Sequence, residues 1–99
     1  MAYRLIWAPA ARDDLHQIVD FIARDNRERA ATFGYRLIRE IEQVQGFPEM
    51  GRKVPERADP LIREIVLRSY RVIYRLDHAR SMVEVVRIWH GARGEPEIA

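Results

Sequence analysis

What the sequence lacks excludes several classes of function. Its 99 residues include no cysteine, which excludes a disulfide scaffold, a thiolate zinc site and thiol catalysis. No apolar run approaches the roughly 20 residues that span a membrane, and Pro9 interrupts the N-terminal apolar stretch too early for a signal peptide. The glycines form no dinucleotide-binding or phosphate-binding loop, so we expect no cofactor. We therefore expect a cytoplasmic protein without a membrane segment.

Lysine is almost absent. Sixteen of the 17 basic residues are arginine and only Lys53 is lysine, although the formal net charge is +2. Arginine carries a planar, permanently charged group that binds carboxylates and phosphates through two hydrogen bonds. The bias has two explanations: a genome rich in arginine codons, or a surface for an acidic partner such as nucleic acid, the ribosome or an acidic protein segment.

Two amphipathic helices are predicted in the first half of the chain. The first begins at Pro9, which suits the first helical turn, and runs to about Asp25. Asp25 and Glu28 resemble a capping box for the second helix, which extends to about Gln45 and is stopped by Gly46. Each helix has one apolar side. Together they predict an antiparallel hairpin that covers one face of a sheet.

The C-terminal third, residues 62–93, predicts three short strands with two tight connections. Valine, isoleucine, tyrosine and tryptophan dominate, and polar residues alternate with apolar ones. With 77–81 as a hairpin loop, Leu76 lies opposite Met82 and Val72 opposite Val86. One face is then nearly all apolar, and the other carries Arg71, Ile73, Arg75, Val83, Val85, Arg87 and Trp89. With a first strand at 3–7, the order β-α-α-β-β-β predicts an α+β fold with an antiparallel sheet.

The remaining segments are a connection and a tail. Residues 47–61 contain three prolines and six charges, and an irregular connection of about 15 residues is typically functional or disordered. We expect Phe47, Met50, Val54 and Leu61 to hold this connection on the core. The tail, 94–99, has little to bury and is expected to fray. All 99 residues are expected to form one domain.

Histidines and carboxylates are the candidates for chemistry. Cleavage of RNA through a 2′-hydroxyl needs a base, an acid and a cation, and Glu56, His90 and Arg71 can supply these if the connection folds over the sheet. Strict alternation places Arg71 and His90 on opposite faces, so this trio requires a bulge or an early turn. Alternatively, His90 only bonds to backbone. Glu64 and Glu84 are expected to pair with an arginine or tyrosine. Three scattered histidines predict no metal site.

Motifs in order along residues 3–96 resemble the RelE/ParE superfamily of toxins from type II toxin–antitoxin pairs. They are WAPAARDDL (7–15), FIA (21–23), FP (47–48), GR (51–52), REIV (63–66), YRVIYR (70–75), VEVV (83–86) and HGAR (90–93). The resemblance implies a helical hairpin on a curled antiparallel sheet. It also implies a toxin neutralised by a cognate antitoxin, similar to ParD or RelB, whose acidic segment wraps around the toxin in a hetero-oligomer.

The branches of this superfamily differ in activity. RelE-type toxins cleave mRNA in the ribosome with lysines, arginines and a C-terminal tyrosine, whereas this chain has one lysine and no tyrosine after Tyr74. The YoeB-type set of Glu, Arg and His is matched in place by Glu56, Arg71 and His90, without the tyrosine that follows the histidine. REIV, VEVV and H-x-A-R resemble the ParE-type branch, which lacks a nuclease set and is linked to DNA gyrase.

The resemblance therefore implies a ParE-like, plasmid-stabilising toxin that inhibits growth through protein contacts. One alternative is a ribosome-dependent mRNA endonuclease, and another is a relative of the same fold that has no toxic activity. For either toxin activity we expect the antitoxin or the target to bind a set of residues on and around the last three strands. This set consists of Arg63, Arg75, Arg87, Trp89 and Arg93.

Overall fold

A mixed sheet of five strands carries two helices on one face in the computed structural model, which describes residues 2–98. The strands are β1 (Arg4–Trp7), β2 (Arg52–Lys53), β3 (Ile62–Leu67), β4 (Tyr70–Asp77) and β5 (Met82–His90), in the spatial order β1-β5-β4-β3-β2. The helices are α1 (Pro9–Ala23) and α2 (Arg27–Gln43), and a 3-10 turn spans Gly91–Arg93. The α+β class is confirmed. The prediction of a purely antiparallel sheet was wrong, because β1 pairs in parallel with β5. Strand β2 was not predicted.

The helical hairpin begins and turns on local signals. Pro9 occupies the start of α1, where its missing N–H has no helical partner. At the start of α2, the side chain of Asn26 accepts a hydrogen bond from the backbone N–H of Arg29 at 2.9 Å. The predicted capping box of Asp25 and Glu28 was therefore wrong by one residue. Asn26 is the capping residue because its extended backbone aims its side chain at the first turn.

The main core lies between the hairpin and the sheet. Leu37 and Ile41 of α2 are buried against side chains of the central strands. The buried members of this cluster are Ala11, Phe33, Leu37, Ile41, Val72, Val85 and Ile88. The predicted cover of one sheet face by paired helices is confirmed. Within residues 2–98, no helix is long and apolar enough to cross a membrane.

The predicted register of the last hairpin was wrong. Asp77, not Leu76, lies opposite Met82, because the side chain of Asp77 accepts a hydrogen bond from the N–H of Arg80 and closes a four-residue turn. Ser81 completes this turn with a φ of 51°.

A β-bulge then shifts the pairing again between Ile73 and Tyr74. Val72 consequently lies opposite Ile88 rather than Val86. Because a bulge reverses the alternation of faces, Val85 packs under the helices and Val86 packs on the other face.

That other face has its own small core, formed by the connection and the tail. Its buried residues are Val54, Ile62, Ile73, Val86 and Trp89, with Ile98 packed against them. Val54 holds the connection as expected, but Phe47, Met50 and Leu61 are 71%, 45% and 40% exposed, so their predicted burial was wrong. The carbonyl of Ile98 accepts a hydrogen bond from Arg57. Fraying of the tail and the extent of the domain stay predictions, and Met1 and Ala99 lie outside the described residues.

Candidate functional site

The arginine face of the sheet is a network of ion pairs beneath the connection. The side chain of Glu64 is fully buried and accepts hydrogen bonds from Nε of Arg71 and Nε of Arg52, each at 2.6 Å. Arg71 also donates to both carboxylate oxygens of Glu56, at 2.7 and 3.1 Å. The expectation that Glu64 pairs with an arginine is confirmed. All three guanidinium nitrogens of Arg71 are bonded to carboxylates.

Hydrogen bonding in this network shifts the pKa values of Glu56 and Arg71. The hydrogen bonds from Arg71 lower the pKa of Glu56 below its ordinary value of 4.5, and the same bonds raise the pKa of the Arg71 guanidinium. A carboxylate held in its anionic form is a weak proton acceptor. A phosphate could reach Arg71 only by displacing a carboxylate that already binds it. The geometry therefore favours a structural function for this pair.

His90 lies apart from Glu56 and Arg71. In the observed register His90 is opposite Tyr70, whereas Arg71 is opposite Trp89, so the two side chains occupy opposite faces of the sheet. The bulge does not bring them together, because both pairs lie on the same side of it. Nδ1 of His90 accepts a hydrogen bond from the N–H of Ala92 at 3.0 Å and caps the 3-10 turn. The structure thus brings together two of the three predicted catalytic residues.

Arg87, one of the predicted binding residues, is paired with a carboxylate that sequence reasoning missed. Its Nε and Nη2 donate to Asp14 of α1 at 2.8 and 3.0 Å, and Asp14 also accepts the backbone N–H of Ile88 at 2.9 Å. β1 ends at Trp7, opposite Val85, so Asp14 occupies the edge of β5 beyond that point. Hydrogen bonding to Asp14 raises the pKa of Arg87. No sequence signal marks a pairing over such a separation.

The other predicted binding residues also make internal contacts. Trp89 is 3% exposed, and the guanidinium carbons of Arg93 and Arg87 lie 3.9 and 4.9 Å from its ring centroid. Arg63 donates to the backbone carbonyls of residues 49, 51 and 60. Arg75 pairs with Glu84 at 3.2 Å. The five residues thus stabilise the sheet face, and their part in binding stays a prediction.

A different group of cations lines a cleft at the turn end of the helical hairpin. This hairpin cleft has a volume of about 600 Å³ and lies between the α1–α2 turn and the β3–β4 turn. Its apolar lining includes Phe33, Tyr70 and Phe21, which is 65% exposed. The cations that line it are Arg29, Arg36 and Arg68, and His90 is a further lining residue. Sequence reasoning missed all of these except His90, because the two turns meet only in the folded chain.

No metal centre is evident in the part of the chain that the structure describes. Residues 2–98 contain no cluster of three histidine, aspartate or glutamate side chains arranged to hold an ion. The three histidines are separated by the fold as well as along the sequence. His16 is exposed on α1, whereas His78 accepts or donates a 2.7 Å hydrogen bond with the hydroxyl of Tyr3.

Comparison with known proteins gives a consistent picture. Residues 5–94 match the model of a family described as the ParE toxin of type II toxin–antitoxin systems, parDE. No curated protein matches the sequence. A chain of the chromosomal ParDE system from P. aeruginosa aligns with a TM-score of 0.73 and 20% identity, over 90% of this chain and 96% of its own length.

Two further structures have a similar fold. One belongs to the RelBE2 toxin–antitoxin complex from Mycobacterium tuberculosis, with a TM-score of 0.59 and 21% identity over 91% of this chain and 99% of its own. The other is a free mutant form of the E. coli toxin RelE, with a TM-score of 0.69 and 21% identity over 95% of this chain and 88% of its own. At these identities the structural likeness establishes the fold.

Proposed function

The chain belongs to the family of ParE toxins of type II toxin–antitoxin systems, and from this membership we propose that it arrests growth by binding DNA gyrase through protein contacts. We further propose that it acts in the cytoplasm and is neutralised by a cognate, ParD-like antitoxin in a hetero-oligomer. The P. aeruginosa ParDE system and the RelBE2 complex support the proposal of an antitoxin partner, because each is a toxin–antitoxin system that contains a chain of similar fold.

The observation that carries this proposal is the state of the candidate nuclease residues. Glu56 and Arg71 neutralise each other in a bidentate pair, and Glu64 occupies the remaining side of the guanidinium. His90 lies on the other face of the sheet. General acid–base cleavage needs the base, the acid and the phosphate-binding cation around one scissile group. The arrangement supports an inhibitor that acts by docking.

The alternative is a ribosome-dependent mRNA endonuclease that uses Glu56, Arg71 and His90. The contact between Glu56 and Arg71 supports it, because two of the three groups are adjacent. This mechanism would require the ribosome to separate the pair and to bring His90 across the sheet. The alternative therefore predicts that His90→Ala abolishes the cleavage of mRNA.

Controlled expression of the chain tests the two functions against each other. For the gyrase inhibitor we expect growth arrest, induction of a DNA-damage reporter and inhibition of supercoiling by purified gyrase. His90→Ala and Glu56→Gln should keep this inhibition within about threefold of the wild type, provided that circular dichroism shows an intact fold. New 5′ ends within translated codons, lost in His90→Ala, would establish the nuclease instead.

The proposed partner is tested by co-expression. The protein encoded by the adjacent reading frame should restore growth and should co-purify with the chain as a defined hetero-oligomer on size-exclusion chromatography. Growth arrest that persists in the presence of that protein, with no complex formed, would contradict the antitoxin proposal. The gyrase assay is independent of this result.

A further inference from the structure

We infer that a groove beside the turn at residues 47–50 binds an apolar side chain of the toxin's target, with a lysine or arginine of the target next to it. This connection groove has a volume of about 550 Å³, and its lining includes Tyr3, Phe47, Pro48, Glu49, Met50 and His78. The inference rests on the proposed function, in which the target is gyrase, and it names the surface and the chemistry of that contact.

Two large apolar side chains at the groove are not used by the core. Phe47 is 71% exposed and Met50 is 45% exposed. Aromatic and methionine side chains are enriched in the centres of protein–protein interfaces, where they fill pockets of the partner and lose their contact with water. The exposure of both side chains beside one groove therefore indicates a surface for a protein.

The turn that carries these side chains is held firmly. Pro48 occupies its second position, and the N–H of Met50 donates to the carbonyl of Phe47 at 3.0 Å. The hydroxyl of the buried Tyr74 donates to the carbonyl of Pro48 at 2.8 Å and accepts the N–H of Gly51 at 2.9 Å. Because the turn needs no ordering on binding, the entropic cost of association is reduced.

Tyr3 and His78 form a second wall of the groove, and contacts within the chain hold it in place. The N–H of Tyr3 donates to the carbonyl of Gln45 at 2.8 Å, and the carbonyl of Tyr3 accepts the side chain of Gln45 at 2.9 Å. The rings of Tyr3 and His78 meet edge to face with centroids 5.8 Å apart, and a 2.7 Å hydrogen bond joins them. The groove is therefore a preformed site.

The charge of the groove selects its partner. Within residues 2–98, no arginine lines it, although the chain contains 16 arginines. Its carboxylate, Glu49, has a side chain that is 63% exposed, with Oε1 at 3.5 Å from Nε2 of His78. An acidic segment or a nucleic acid would meet this carboxylate without a guanidinium to bind. A lysine or arginine next to an apolar side chain complements the groove, which distinguishes its partner from an acidic antitoxin segment.

A second copy of the chain fits the groove poorly. The exposed parts of Phe47 and Met50 amount to on the order of 200 Å², whereas a specific dimer buries about 800 Å² on each partner. In a two-fold contact centred on the groove, the two Glu49 carboxylates would also face each other. A larger target can extend its contacts beyond the groove to other parts of the toxin surface.

Phe47→Ser tests the apolar contact in binding measurements with purified gyrase. We expect the affinity and the inhibition of supercoiling to fall at least about tenfold, because an aromatic anchor is removed. Since Phe47 is exposed, the melting temperature should stay within about 2 °C of the wild type. The matched control is Tyr35→Ser in α2, which removes a ring that is 72% exposed and lies outside the groove lining. This control should keep its affinity within about threefold.

Glu49→Lys tests the charge of the partner. We expect the affinity for gyrase to fall about tenfold at low salt, and the difference from the wild type to shrink at high salt. Asp20→Lys makes the same change of charge at an exposed carboxylate of α1 and should stay within about threefold of the wild type. A Glu49→Lys variant that binds gyrase as tightly as the wild type would overturn the inference.

The affinity of each variant for the purified product of the adjacent reading frame separates the target from the antitoxin. We expect Phe47→Ser to lose affinity for gyrase and to keep its affinity for the antitoxin. If the wild type inhibits gyrase and Phe47→Ser inhibits it equally well, the groove inference fails and the proposed function stands. If the wild type does not bind gyrase, both fail.

Two further outcomes would assign the groove to another occupant and overturn the inference. One is a wild-type dimer on size-exclusion chromatography that Phe47→Ser converts to a monomer. The other is a Phe47→Ser variant that loses affinity for the antitoxin and keeps its affinity for gyrase.

Discussion

The sheet face and the hairpin cleft are both rich in arginine, but their arginines differ in what they contact. On the sheet face, Arg71 and Arg87 bind carboxylates of the same chain and hold the connection and α1 in place. In the cleft, Arg36 and Arg68 line an open volume beside aromatic rings. Clusters of arginine in a sequence therefore do not by themselves locate a binding surface. The internal partners of each side chain must be known as well.

The largest difference between the two regions should be seen on removing one arginine from each. Arg71→Met should lower the free energy of unfolding by about 3 kcal/mol, because Glu64 is left buried with one partner fewer. Arg36→Ala, at an exposed position in the cleft, should change it by less than about 0.5 kcal/mol. Urea denaturation measures both. Equal losses would mean that the two regions do not differ as described.

A paired and an exposed carboxylate of α1, Asp14 and Asp13, can be compared in the same way. Asp14→Ala should cost about 2.5 kcal/mol, because it leaves the Nε of Arg87 and the buried N–H of Ile88 without their acceptor. Asp13→Ala, the exposed neighbour in the same helix, should cost less than about 0.5 kcal/mol. Denaturation curves of the two variants decide this. A small effect of Asp14→Ala would show that the backbone N–H of Ile88 finds another hydrogen-bond acceptor in the variant.

The attachment of the connection to the sheet depends on close packing at Gly51. A Cβ atom there would lie 2.5 Å from the hydroxyl of Tyr74 and 2.7 Å from the carbonyl of Glu64, so we expect Gly51→Ala to cost about 2 kcal/mol. At Gly46 the nearest atom would lie at 3.8 Å, and Gly46→Ala should be nearly neutral. Thermal unfolding of both variants is the measurement. A neutral Gly51→Ala would contradict a firmly attached connection.

The smallest effect is the pH dependence of the pair between Glu56 and Arg71. The pKa of Glu56 is lowered in the folded chain by its hydrogen bonds to Arg71, so its contribution is complete above the ordinary pKa of 4.5 and is lost as the pH falls through the lowered value. The difference in unfolding free energy between the wild type and Glu56→Gln should therefore shrink below pH 4.5. A difference independent of pH in that range would mean that the pair contributes no stability.

Much of the fold was predictable from local patterns. The start of α1 at Pro9, the apolar sides of both helices and the three C-terminal strands follow from residue types and spacings that act over a few neighbours. The register was not predictable, because it depends on a side-chain hydrogen bond of Asp77 and on a bulge beside Ile73. Alternation alone cannot reveal an extra residue in one strand.

The candidate site was predictable only in part. The sequence predicted that Glu56 approaches Arg71 if the connection folds over the sheet, and that Glu64 pairs with an arginine or a tyrosine. It did not reveal that Asp14 is paired with Arg87, or that Arg68 and Arg36 share a cleft with His90. These contacts join elements whose approach depends on how the hairpin is laid on the sheet.

The sequence by itself determined the class of fold, because periodicity, capping and turn chemistry depend on residues close together in the chain. It also determined the family, because the order of the motifs can be read along the chain. The tertiary structure decided which cations are engaged and which are available. Asp14 and Arg87 are 73 positions apart, and an ion pair depends on distances of a few ångströms that such separations do not encode. Whether an arginine stabilises the protein or faces a partner is therefore a property of the folded chain.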